Sequence, residues 1–106
     1  MRITQASQRR LFATYFNTLG VAHYRNGEPR AAVEALTQST RMNGGGTSFD
    51  FFFLAMACWQ LGDKGPARQW YDKAVAWMDK HAPQDEELKR FRAEAAALLG
   101  IKDLLK

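Results

Sequence analysis

The sequence predicts an all-α fold: two helix-turn-helix repeats and a C-terminal capping helix, stacked as a right-handed α-solenoid. Three observations predict it. The chain matches itself at an offset of 35 residues, apolar residues recur at helical spacing, and glycine-acid pairs fall where helices must end. At that offset Phe16 falls on Phe51, Leu19 on Leu54, Ala22 on Ala57 and Tyr24 on Trp59. Gly27 then meets Gly62, Glu28 meets Asp63 and Ala32 meets Ala67.

Each element follows from local chemistry. Phe16, Leu19, Gly20 and His23 stand at i, i+3, i+4 and i+7, one stripe of a helix. Asn26-Gly27-Glu28-Pro29 ends that helix and opens the next, because glycine tolerates the C-cap conformation and proline suits a first turn. Ala32 and Leu36 carry the second helix, with Ala32 small so that the two helices approach closely. Together these residues make repeat one, 8–42. After the loop Asn43-Gly44-Gly45-Gly46, Thr47-Ser48-Phe49-Asp50 resembles a capping box and opens the third helix. Gly62-Asp63 breaks that helix, and Asp63 is placed to N-cap the fourth, with Pro66 in its first turn. Ala67, Trp70, Tyr71, Ala74, Val75 and Met78 face inward from the fourth helix, completing repeat two, 47–81.

The fifth helix, 83–99, is expected to open at Pro83, with Asp85-Glu86-Glu87 at its positive dipole end. Leu88, Phe91, Ala95, Leu98 and Leu99 form its stripe, and Gly100 stops it before a tail, 100–106. It is out of register with the repeats, since Leu99-Gly100 lies 80 residues beyond Leu19-Gly20, and it reads as a cap on the stack. The whole, 1–106, is predicted to be one domain.

Composition limits the function classes. The chain is 46% hydrophobic and 25% charged with a single Cys58, which excludes an intramolecular disulfide framework and fits a reducing, cytoplasmic compartment. The longest apolar run, Phe51 to Trp59, is far short of the roughly 20 residues that span a bilayer, so no membrane role is expected. The basic N-terminus lacks the apolar stretch of a secretory signal and runs straight into the first helix. The net charge of +4 is scattered among acids rather than gathered on one face. The densest basic groups are Arg9-Arg10 and Lys89-Arg90-Arg92, and the second lies beside Asp85-Glu86-Glu87 and Glu94. That pattern fits a solvated surface better than a phosphate track, and nucleic acid is not the expected partner.

Phe16-x-x-Leu19-Gly20-x-x-His23 with Ala32-x-x-x-Leu36 resembles the tetratricopeptide repeat (TPR) pattern W-x2-L-G-x2-Y…A-x3-F. Phe51-x-x-Leu54-Ala55-x-x-Cys58 with Ala67-x-x-x-Tyr71-x-x-Ala74 resembles a second copy. The departures are Phe for Trp, His23 and Cys58 for Tyr, and Gly44 and Asp79 where the family usually carries Pro. More narrowly, Asn17 to Tyr24 and Phe52 to Ala57 resemble TPR segments at the C-terminal ends of bacterial serine/threonine kinases and WD-repeat proteins. The resemblance implies an adaptor or scaffold that binds a protein segment in a concave groove lined by the first helix of each repeat. Carried over by register, the groove positions are Thr14, Asn17, Val21, Tyr24 and Arg25, then Phe49, Phe52, Met56, Trp59 and Gln60.

Because Phe51, Leu54, Ala55 and Cys58 face the core from the same helix, the third helix is apolar on both sides and needs a cover on its groove side. Phe52, Met56 and Trp59 therefore have three readings: an anchor strip for an apolar or amphipathic partner, ordinary core beneath the fifth helix, or a homodimer interface. Two repeats and a cap fall short of the roughly three usually needed for a stable stack, which favours a covered strip over a bare groove. A carboxylate clamp is not expected, because its positions are Asn17, Val21 and Phe53, with only Arg25 near.

No catalytic, metal or cofactor chemistry is expected. His23 and His81 lack neighbours at metal-ligand spacing, and His23 sits at a packing position. Cys58 reads as a small buried hydrophobe. Gly44-Gly45-Gly46 lacks the Lys-Ser/Thr of a phosphate loop.

Overall fold

A computed structural model describes residues 4–102; the ends of the predicted 1–106 domain, including residues 103–106 of the tail, lie outside it. Among the described residues there are five helices: α1 (Gln5–Arg25), α2 (Pro29–Met42), α3 (Ser48–Gln60), α4 (Lys64–His81) and α5 (Glu86–Leu99). The fold is all-α, arranged as a TPR-like helical repeat. α1 packs on α2, α3 on α4, α2 on α3, and α5 lies mainly on α3.

Local signals place the boundaries. Gly27 and Gly62 take φ of +75° and +85° just past the first and third helices, a conformation that costs glycine nothing and other residues roughly 1–2 kcal/mol. Thr47 and Asp50 form the expected capping box at α3. Two expected starts differ in detail. Asp63 occupies the N-cap of α4 but its side chain makes no capping hydrogen bond. Pro83 does not open α5; Pro83-Gln84 form a turn, and Asp85 caps the helix by accepting the Leu88 N–H at 2.9 Å. A free carboxylate that can satisfy an orphan N–H outweighs proline's fit to a first turn.

The helix pairs are held at short range by small residues. A Cβ on Gly20 would lie 2.5 Å from Leu36 Cγ, so α1 and α2 approach too closely for any other side chain there. Ala32 is wholly buried in the same seam. Ser39 Oγ donates to the Ala13 carbonyl at 3.0 Å, and Ser48 Oγ donates to the Ala74 carbonyl, so both buried hydroxyls are satisfied.

The core centres on α3. Every residue from Ser48 to Cys58 except Phe49 is buried, because α1, α2, α4 and α5 surround this helix. Phe51 stacks on Trp70 with centroids 5.5 Å apart, and Phe52 meets Tyr71 edge-on at 5.9 Å, both on α4. Phe53 meets Tyr24 of α1 at 5.7 Å and Phe91 of α5 at 4.7 Å. A helix apolar all round is thus explained by enclosure on all sides.

Candidate functional site: the concave face

The predicted groove residues do not form one surface. Phe52 and Met56 are completely buried. Their expected place on an open groove is corrected: α4, whose Tyr71 meets the Phe52 ring, and α5 both pack on α3, and the strip is core in this structure. Leu88, Ala95 and Leu99 of α5 are buried, and Phe91 meets both Phe49 and Phe53 edge-on. Trp59 is half-buried at the end of α3, with the Lys64 ammonium 4.3 Å from its ring centroid.

The remaining positions separate into two depressions. The first, between α1, the end of α2 and the start of α3, is lined by Arg10, Thr14, Asn17, Thr47, Phe49 and Asp50 among others. Asn17 Nδ2 donates to the Phe49 carbonyl at 3.0 Å and to Asp50 Oδ1 at 2.9 Å. Asp50 Oδ2 accepts the Thr47 N–H at 3.3 Å. One carboxylate therefore caps α3 and ties it to α1. Val21 is half-buried further along α1.

The second depression is lined by Tyr24, Arg25, Gln60 and Glu94 with the α1–α2 turn. Arg25 binds both carboxylate oxygens of Glu94 on α5, Nη2 to Oε1 at 2.8 Å, and its guanidinium carbon sits 5.1 Å from the Phe53 ring centroid. This bidentate pair bridges α1 and α5 across the groove. Burial raises the Tyr24 phenol above its usual range, so it stays protonated at neutral pH. Arg25, the one cation near the clamp positions, is thereby occupied within the chain.

Burial pushes the Asp50 carboxyl up, against the Asn17 and Thr47 hydrogen bonds that pull it down. Folding thus favours its protonated form. Its contribution to stability is fully present below the unfolded-state value of about 3.9 and is lost as pH rises through the raised folded-state value. Urea midpoints between about pH 3 and pH 7 should show this. Wild type should lose stability with rising pH relative to Asp50→Asn, whose side chain does not titrate.

Other expectations fare differently. His23 is not a core residue: it is half-buried at the edge of α1, with Nδ1 2.9 Å from Glu28 Oε1, because among the described residues no helix covers that side. Cys58 is buried, and burial raises its thiol, which keeps it from acting as a nucleophile. The basic cluster of α5 is matched by acids, with Lys89 beside Glu86, Arg90 beside Glu87 and Arg92 beside Asp79. Among the described residues no group of His, Cys, Asp or Glu is placed to hold a metal ion, and no helix is long and apolar enough to cross a membrane. The Arg25–Glu94 pair was missed from sequence; nothing in the repeat pattern links residues so far apart.

Residues 51–80, which span most of α3 and α4, match the family model of the tetratricopeptide repeat. No curated protein and no solved structure is significantly similar to the chain. The second helix pair is therefore TPR-type, a class of repeat associated with protein–protein interaction.

Proposed function

We propose that the chain is a protein-binding module that takes a partner segment against the part of the concave face left uncovered by α5. The observation that carries this reading is the position of α5. Its backbone packs on α3 and α4 and it reaches α1 only through the Arg25–Glu94 pair, so the inner face is filled over repeat two and open over the first part of repeat one. The contact surface on this reading is Arg10, Thr14, Asn17 and Phe49, continued by Val21.

The chemistry of that surface describes its occupant. Phe49 and Val21 offer apolar contact, Thr14 and Asn17 offer polar groups, and Arg10 adds charge on a helix that carries no acidic residue. A segment with an apolar side chain flanked by an acidic one is the complement. The resemblance of Asn17 to Tyr24 and of Phe52 to Ala57 to TPR segments of bacterial kinases and WD-repeat proteins supports an adaptor role in the cytoplasm on this reading.

The test is site-specific photo-crosslinking in extracts of the source cells. A photoreactive residue in place of exposed Thr14 should trap a discrete partner, and excess unlabelled chain should compete it away. The same group in place of Glu87, exposed on α5, is the control. Equal labelling at both positions, or none at Thr14, refutes the reading.

A further inference from the structure

The large apolar side chains most exposed among the described residues are Leu11 (62%), Phe12 (54%) and Tyr15 (58%), all on α1. Phe16 and Leu19 extend the same side of the helix, half-buried along a shallow groove with Ala31, Glu34, Ala35 and Gln38 of α2. This side faces away from α3. The internal repeat shows what such a face requires: Phe16, Leu19 and His23 correspond to Phe51, Leu54 and Cys58, and those are buried because α2 lies against α3. In repeat one the equivalent side has no helix upon it among the described residues. It is a helix-accepting face without its helix.

Charge along the face indicates the occupant. At one end, Arg9 Nη2 donates to the Arg41 carbonyl at 3.0 Å and Arg41 Nη1 donates to Gln38 Oε1 at 3.3 Å, making that end basic. At the other end lie Glu34, in the groove itself, and Glu28, which is bound to His23 of the groove and held ionised by His23 and Asn26. Arg30 lies in the adjoining depression with both acids and is the exception in the group. The face is therefore basic, apolar and acidic in succession, a sequence complementary to itself when reversed.

We propose that this face is an interface between two copies of the chain, packed α1 against α1 in antiparallel fashion about a two-fold axis near Tyr15. The axis sets Leu11 of each copy near Leu19 of the other and brings each basic end to the partner's acidic end, as an isologous contact requires. The three exposed side chains offer roughly 350 Å², taking about 200 Å² for each when fully exposed. A stable interface buries about 800 Å² per partner, so Phe16, Leu19 and the edge of α2 must contribute, and the dimer is micromolar rather than obligate.

Sedimentation equilibrium of the full chain tests this. Wild type should dimerise, and Tyr15→Glu should raise the dissociation constant on the order of 100-fold while the helical circular dichroism stays unchanged, since Tyr15 is exposed in the monomer. Arg9→Glu and Glu34→Arg should each weaken the dimer severalfold. Their equimolar mixture should recover it, because the mixed dimer pairs opposite charges at both ends. Wild type that stays monomeric up to about millimolar concentration leaves the face to another protein's helix and overturns the proposal. So does a dimer indifferent to Tyr15→Glu. A mixture no tighter than its components overturns the antiparallel arrangement.

Discussion

Met56→Glu should unfold the chain at neutral pH, whereas Trp59→Glu should leave it folded. Both residues lie on α3, and both were candidate anchors for a partner. Met56 is wholly enclosed, so a carboxylate there must be buried without a counter-charge, a penalty of several kcal/mol after relaxation. Total stability for a chain of this size is about 5–15 kcal/mol, so that loss consumes most of it. Trp59 keeps one side in solvent beside the Lys64 ammonium. A glutamate there loses ring packing and gains an ion pair, for a net cost of about 1–2 kcal/mol. Circular dichroism melts at neutral and acidic pH check this, and acid should partly rescue Met56→Glu by neutralising the new side chain. A Met56→Glu chain that is folded but fails to bind a partner would return the residue to a groove.

Phe53→Ala should lower stability by about 3–5 kcal/mol, read from the urea midpoint. Its ring joins α3 to two other helices: Tyr24 and the Arg25 guanidinium, which in turn holds Glu94, on α1, and Phe91 on α5. Truncation leaves a cavity that neither Tyr24 nor Phe91 can fill without moving its own helix, so the site relaxes poorly. Phe53→Leu, which keeps most of the volume, should cost less than about 1.5 kcal/mol. Similar losses for the two variants would mean that the aromatic contacts with Tyr24 and Phe91, rather than filled volume, set the value of this position.

Helices and turns were legible in the sequence because their causes are local. Gly27, Gly62, Thr47 and Asp50 act within a few residues of where they stand, and each does in the structure what its chemistry implies. The 35-residue self-match carried the antiparallel pairs for the same reason. The placement of Phe52 and Met56 was not legible. A helix apolar all round is compatible with enclosure or with a site, and only the three-dimensional course of α4 and α5 distinguishes them.

The α1 face was invisible to self-comparison for a different reason. At an offset of 35, Leu11, Phe12 and Tyr15 fall on Gly46, Thr47 and Asp50, a loop and a cap, so nothing in repeat two flags them. The Asn17–Asp50 bond was half legible: Asp50 was read as part of a cap, but its second partner came from another helix.

The enclosure of α3 from Asp50 to Cys58 has a kinetic consequence. α1, α2, α4 and α5 each keep one side toward solvent, so their amides can exchange hydrogen through partial opening of a single edge. That stretch of α3 has no such edge. Its amides from Phe52 to Ala57 can meet water only when neighbours on several sides let go together, which for this chain amounts to unfolding. Exchange at those six positions is then a clock for the whole molecule, and anything that grips the folded chain from outside must slow it.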